Sequence, residues 1–128
     1  MKTMILQGIQ ALLILLFLAG SGLAMDPLRT PGDAKVDQAA AMLNDRGVQL
    51  YYVGRFEEAL GSFILSAELD PTFAIVHFNC AVVLTTRGLK TDWEEAIRHL
   101  ERSHRLDPAK RQIEEFLFEL IQKAPRVT

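Results

Sequence analysis

The spacing of apolar residues along the chain predicts a protein built from helices. Near the C-terminus, apolar residues recur every three or four positions with charged residues between them: Ile113, Phe116, Leu117, Leu120 and Ile121. This spacing gives a helix one apolar face, which lies against a protein core. Together with the turn residues that separate them, such stretches predict five helices and an all-α fold. They cover residues 34–53, 55–69, 71–87, 91–106 and 108–123.

Two of these helices carry nearly the same sequence. Residues 54–71 read GRFEEALGSFILSAELDP and residues 93–108 read WEEAIRHLERSHRLDP, so both contain an aromatic residue, Glu-Glu-Ala and a closing Leu-Asp-Pro. Gly54 and Gly88 are 34 residues apart, and downstream of them the offset becomes 37. The additional residues fall in the turn at 89–92, where extra length costs little. The chain therefore contains a helix-turn-helix unit written twice.

A 34-residue helix-turn-helix period is that of the tetratricopeptide repeat, and residues 40–108 resemble this family. The resemblance is carried by small residues where paired helices touch and by prolines at the unit ends: Gly47, Ala59, Pro71, Ala81, Ala96 and Pro108. Asp70 and Asp107 are predicted to cap the helices that follow, with the prolines in the first turn. The chain departs from the family pattern at Arg46, Cys80 and His77.

The resemblance implies a right-handed solenoid of helical hairpins within a domain at residues 34–123. Repeat one would cover residues 40–73, repeat two residues 74–110, and a capping helix residues 108–123. In this family the first helices of successive repeats line a concave groove that binds an extended peptide or a short helix. Carrying that register over predicts these partner-binding residues: Asn44, Val48, Tyr51, Tyr52, Ile75, Phe78, Asn79 and Val82. Aromatic residues are favoured for contact, whereas core packing stays open for Val48, Ile75 and Val82.

The first 24 residues have the layout of a signal peptide. Lys2 precedes an apolar run at residues 11–19, and Gly22 and Ala24 are small residues ahead of Met25. Cleavage before Met25 would give an exported protein, with the bacterial periplasm favoured over secretion elsewhere. An uncleaved membrane anchor over residues 4–23 stays open. The two prolines and the glycine of residues 25–33 predict a flexible linker.

Charge and cysteine content narrow the function classes. The chain has 14 basic and 16 acidic side chains, which argues against nucleic acid as a partner because binding phosphates needs a clustered positive surface. A single cysteine, Cys80, rules out an intramolecular disulfide. Basic residues do cluster at Arg87, Lys90, Arg98, Arg102 and Arg105, but acidic residues lie between them. A solvated helix surface is favoured for this cluster, and an anionic partner stays open.

The sequence gives little support to catalysis or to a bound cofactor. Glu95 and His99 are one helical turn apart, but two ligands are too few for a zinc site. The chain lacks the motifs of phosphate loops, nucleophile elbows and zinc proteases. We therefore predict a non-enzymatic adaptor that binds another protein, without metal or cofactor. The alternative is a structural unit that stacks with its own copies through the open flanks of the repeats.

Overall fold

Five helices form the part of the chain that this computed structural model describes, residues 25–124. They are α1 (Gln38–Tyr52), α2 (Phe56–Leu69), α3 (Ala74–Arg87), α4 (Asp92–Leu106) and α5 (Arg111–Lys123). Strands do not occur between residues 25 and 124, which confirms the predicted all-α class. Among the helices just named, none is both long and apolar enough to cross a membrane. The predicted signal peptide lies outside the described residues.

The last residue of each helix was predicted more accurately than the first. Four helices end at the predicted residue, and α1 ends one residue earlier. The capping prediction for Asp70 and Asp107 was wrong, because α3 and α5 begin three residues beyond Pro71 and Pro108. The Asp70 carboxylate instead accepts hydrogen bonds from the backbone N–H and hydroxyl of Thr72, at 3.1 and 2.7 Å. It therefore closes a turn ahead of α3.

Close contact between α1 and α2 depends on small residues in both helices. Gly47 of α1 lies directly against the buried ring of Phe63, with no space for a Cβ atom. Nearby, the hydroxyls of Ser62 and Ser66 donate to the backbone carbonyls of Leu43 and Ala40, at 2.8 and 2.6 Å. These hydrogen bonds satisfy buried hydroxyls and fix the two helices at short range.

The second hairpin, α3 and α4, repeats this arrangement. Ala81 and Ala96 are fully buried in it. The Ser103 hydroxyl donates to the carbonyl of Ala74 at 2.7 Å, in the same way as Ser66 donates to Ala40 in the first hairpin. The duplicated sequence therefore produces a duplicated contact between helices.

A glycine with positive φ follows the first helix of each hairpin. Gly54 follows α1 with φ at +80°, and Gly88 follows α3 with φ at +72°. Left-handed backbone of this kind is open to glycine but strained for other residues, and it ends a helix sharply. The 34-residue spacing of the two glycines therefore sets where the chain turns back in each hairpin.

The core lies between consecutive helices. Helix α2 packs against α3, α4 packs against α5, and α1 also contacts α3. The rings of Phe78 in α3 and Phe116 in α5 meet edge to face, with centroids 5.5 Å apart. Leu84, Leu100 and other aliphatic side chains fill the remaining interior. Helix α5 thus covers apolar surface of the second hairpin.

Candidate functional site

An irregular stretch of chain ahead of α1 lies against the helices. We call residues 25–30 the N-terminal segment. Met25 and Leu28 pack against the hydrophobic core, and Pro27 is buried. The flexible linker predicted for residues 25–33 does not describe this segment, because specific hydrogen bonds to α1 and α3 hold it in place.

Asn79 of α3 recognises both backbone groups of Leu28. The Leu28 N–H donates to Asn79 Oδ1 at 2.7 Å, and Asn79 Nδ2 donates to the Leu28 carbonyl at 2.8 Å. A carboxamide that accepts from an N–H and donates to the carbonyl of the same residue satisfies that residue much as a neighbouring β-strand would. Asn79 itself is fully buried, so these bonds are shielded from water.

Asn44 of α1 completes the contact from the other side. Its Nδ2 atom donates to the Leu28 carbonyl at 3.1 Å and to the Thr30 hydroxyl oxygen at 3.2 Å. Asn79 Nδ2 donates to Asn44 Oδ1 at 2.7 Å, which joins the two asparagines directly. The two residues are 35 positions apart in the sequence and lie on the first helices of the two hairpins. We call Asn44 and Asn79 the asparagine pair.

Thr30 forms the second anchor of the N-terminal segment. Its backbone N–H donates to Asp45 Oδ1 at 2.8 Å, and its hydroxyl donates to the Ala41 carbonyl at 3.3 Å. The hydroxyl therefore acts as donor to Ala41 and as acceptor from Asn44. A valine at this position would have the same shape but could form neither of the two hydroxyl hydrogen bonds.

The segment runs antiparallel to α1. Asp26 lies close enough to Tyr52, at the C-terminal end of α1, for its carboxylate to act with partial burial in raising the pKa of the Tyr52 phenol. Thr30 contacts Ala41 and Asp45 near the other end of the helix. The asparagine pair lies between these points. Residues 26–30 thus follow the face that α1 and α3 share.

Six of the eight predicted partner-binding residues are buried in this structure: Asn44, Val48, Ile75, Phe78, Asn79 and Val82. The two amides contact the N-terminal segment, and Phe78 packs against Phe116 of α5. An external partner reaches these side chains only if whatever covers them moves. Of the predicted residues, the structure therefore brings Asn44 and Asn79 into direct contact, on a surface that the N-terminal segment occupies.

The two tyrosines lie at the end of this surface. Tyr51 is half-buried, and its hydroxyl is 3.0 Å from the Thr86 hydroxyl, which links α1 to α3. Its ring also contacts Tyr52 and Phe56, with centroid separations of 5.6 and 5.4 Å. Tyr52 is 60% exposed and is the one predicted partner-binding residue that is freely accessible.

Reasoning from sequence missed Leu28, Thr30 and Asp45 as members of the site. The first two were assigned to a linker because residues 25–33 show no periodicity. One signal was present in the helices themselves: Asn44 and Asn79 are amides within apolar stretches and occupy nearly equivalent repeat positions. Buried amides require partners, and their partner is a piece of irregular backbone.

A second polar surface lies between α3 and α4. It is a cavity of about 520 Å³ lined by His77, Glu95, Arg98, His99, Glu101, Arg102 and Arg105. The two imidazoles stack, with Nδ1 atoms 3.4 Å apart, and His99 Nε2 is 3.9 Å from Glu95 Oε1. Across residues 25–124, no group of three or more histidine, cysteine, aspartate or glutamate side chains is placed to hold a metal ion.

Burial favours the uncharged forms of the two histidines at this cavity and of the nearby Cys80 thiol. Burial, together with neighbouring cations, lowers the pKa of both His77 and His99, so both imidazoles are neutral at pH 7. Burial raises the pKa of the Cys80 thiol to about 12, which keeps it protonated and unreactive.

Arg87, from the predicted basic cluster, is paired with Asp92 at 2.8 Å and Glu57 at 2.7 Å. Its charge is therefore used within the fold.

Comparisons with known proteins leave the site to be interpreted from its own geometry. No protein-family model matches the sequence, and no curated protein matches it. The main feature of the site is a surface on α1 and α3 where buried amides hold a stretch of backbone from the N-terminal segment.

Proposed function

We propose that this protein is a non-enzymatic adaptor that holds an extended segment of a partner protein on the surface shared by α1 and α3. One observation carries the proposal: the asparagine pair binds both backbone groups of Leu28. Backbone hydrogen bonds of this kind supply affinity for an extended chain, and side-chain contacts supply selectivity. The groups that the surface contributes are two amides, a carboxylate and the backbone carbonyl of Ala41, and all of them are suited to binding a chain.

The repeated contacts within the two hairpins support a tetratricopeptide-like solenoid. Ser66 and Ser103 form equivalent hydrogen bonds between paired helices, and Gly54 and Gly88 end the first helices with equivalent backbone. Consecutive helices also contact each other along the chain. We propose that the hairpins stack side by side, that α5 caps the second hairpin, and that α1 and α3 line the concave face.

From the signal-peptide layout of residues 1–24 we propose that this activity is located in the cell envelope. A signal peptide would export the domain, and we favour the periplasm as its location. Retention of the same residues as an anchor would instead hold the domain at the membrane surface. In either case the proposed partner is a protein or peptide exposed in the same compartment.

Selection of peptides from a displayed random library tests the adaptor function. Affinities are measured in the Leu28→Ala chain, whose own N-terminal segment is weakened and no longer masks a change in the surface. In this background we expect enriched peptides to bind in extended form and to lose at least tenfold in affinity on Asn79→Ala, because the buried amide contacts are lost. Asp45→Ala removes the contact to the backbone at the Thr30 position, together with a 3.4 Å hydrogen bond from Asn44, and should weaken binding about fivefold. Isothermal titration with each peptide measures both effects.

Thr86→Val is the matched control for this experiment. It removes an exposed hydrogen bond from the same helix as Asn79, without touching the N-terminal segment. Its affinity for the selected peptides should equal that of the wild type. Within the Leu28→Ala background, peptides that bind the Asn79→Ala and Asp45→Ala variants as tightly as the parent chain would show that the surface on α1 and α3 is not the binding site.

A structural role remains the second candidate, because both ends of the helix array expose apolar side chains. Met42, Leu65 and Leu69 are exposed on α1 and α2, and Phe118 and Ile121 are exposed on α5. Contact between unlike ends of two copies would propagate into an open chain. In analytical ultracentrifugation, growth in mass with concentration that Phe118→Glu abolishes would favour this role. A constant monomer mass would exclude it.

A further inference from the structure

We propose that the N-terminal segment is an internal ligand that competes with external peptides for the surface on α1 and α3. It also defines the ligand class that this surface selects: an extended stretch with leucine followed two residues later by threonine. This inference rests on the proposed adaptor function and adds both its regulation and its sequence preference.

The contacts of the segment show which positions a ligand must match. Leu28 packs against the hydrophobic core while its backbone binds the asparagine pair. Thr30 places its hydroxyl between the Ala41 carbonyl and Asn44 Nδ2. Asp26 and Arg29, by contrast, are exposed. Selectivity is therefore expected at the leucine and threonine positions and is expected to be weak at the residue between them.

The segment is built to come away without unfolding the helices. It forms no helix or strand of its own, and the first three residues that follow it, Pro31, Gly32 and Asp33, are all exposed. Every side chain that donates to it or accepts from it in these hydrogen bonds comes from α1 or α3, and the one helix backbone group that they include is the Ala41 carbonyl. The bond between Asn79 and Asn44 also keeps part of the asparagine pair satisfied when the segment leaves.

A covalently attached ligand competes strongly even when its intrinsic affinity is modest. A short connection gives the segment an effective concentration on the order of millimolar. The apparent affinity of an external peptide falls by the fraction of molecules whose surface is open. Any change that weakens the attached segment should therefore tighten binding of an external peptide by the same factor, for as long as the closed form predominates.

Fluorescence anisotropy with a labelled peptide of residues 25–32, MDPLRTPG, tests this competition in the full chain. We expect Leu28→Ala to tighten binding of the peptide about tenfold, because the internal leucine loses its apolar contact. Thr30→Val provides a second variant with an intact leucine and should act in the same direction. Arg29→Ala is the matched control: it truncates the exposed neighbour and should leave the affinity unchanged.

Changes in the peptide test the sequence preference independently of the chain. Bound to the Leu28→Ala chain, a peptide with alanine at its leucine or valine at its threonine should bind about tenfold more weakly than MDPLRTPG. A peptide with alanine at its arginine should bind equally well. Loss of affinity at the arginine and not at the leucine would overturn the assigned register.

Four results would overturn the internal-ligand proposal. One is absence of peptide binding to every variant, which would make the segment a fixed part of the fold. Another is equal peptide affinity for the wild-type, Leu28→Ala and Thr30→Val chains. The third is a concentration-dependent dimer that the free peptide dissociates, which would assign the surface to the segment of a second copy. Selected library peptides that need Asn79 but are indifferent to Leu28→Ala would remove the competition and leave the adaptor function standing.

Discussion

Replacing Gly47 with alanine is expected to lower the free energy of unfolding by about 2 kcal/mol. The new Cβ would overlap the ring of Phe63, approaching Cδ1 to 2.6 Å. Phe63 is fully buried, so its ring has no free space to move into. Overpacking of this kind costs up to about 3 kcal/mol, and the gain of about 1 kcal/mol from replacing a helical glycine offsets only part of it.

Gly61 supplies the matched control for this substitution. It lies within α2, where an added Cβ meets nothing within 4 Å. Gly61→Ala should therefore raise the free energy of unfolding by about 0.5 to 1 kcal/mol through helix propensity alone. Urea denaturation followed by circular dichroism measures both variants. A stability change of the same sign in both would show that α1 and α2 do not approach each other closely at Gly47.

Asn79→Ala is expected to lower the free energy of unfolding by about 3 kcal/mol. The substitution removes three hydrogen bonds, two to Leu28 and one to Asn44, and leaves Asn44 Oδ1 buried without that donor. Each buried polar group that loses its partner costs about 1 to 3 kcal/mol, and the truncation leaves a small cavity. Hydrogen exchange should show a second effect: the Leu28 amide loses its acceptor and its protection.

Thr86→Val separates these effects from general damage to α3. Its hydrogen bond to Tyr51 is exposed, so its loss should change the free energy of unfolding by less than about 0.5 kcal/mol. The Leu28 amide should remain protected in this variant. Continued protection of Leu28 in Asn79→Ala would mean that the asparagine is not what holds the N-terminal segment.

The two largest expected losses of stability, at Gly47 and at Asn79, concern different parts of the structure. Gly47 controls how closely α1 and α2 approach, which fixes the scaffold. Asn79 controls what lies on that scaffold, because its amide binds irregular backbone between α1 and α3. Under the proposed adaptor function, two helices that are already packed together would lose little entropy when an extended ligand binds to them.

The positions and ends of the helices could be predicted from local sequence. Apolar spacing reveals the face that each helix buries, and Gly54 and Gly88 end α1 and α3 with backbone that other residues adopt only under strain. Matched small residues in the two copies also indicated the close contacts, since Gly47, Ala81 and Ala96 are buried where helices pair. Helix starts were predicted less well, because Asp70 used its carboxylate to close a turn.

The sequence predicted the helix residues of the candidate site but not the segment that contacts them. The register of the repeats selected Asn44 and Asn79, but as residues that face a partner. Tertiary structure placed the chain's own Leu28 on them, across a separation of 51 residues from Asn79. An irregular segment has no periodicity to reveal its location. Its position depends on hydrogen bonds to side chains that come together only after α1 and α3 have packed, whereas each helix follows from residues three and four positions apart.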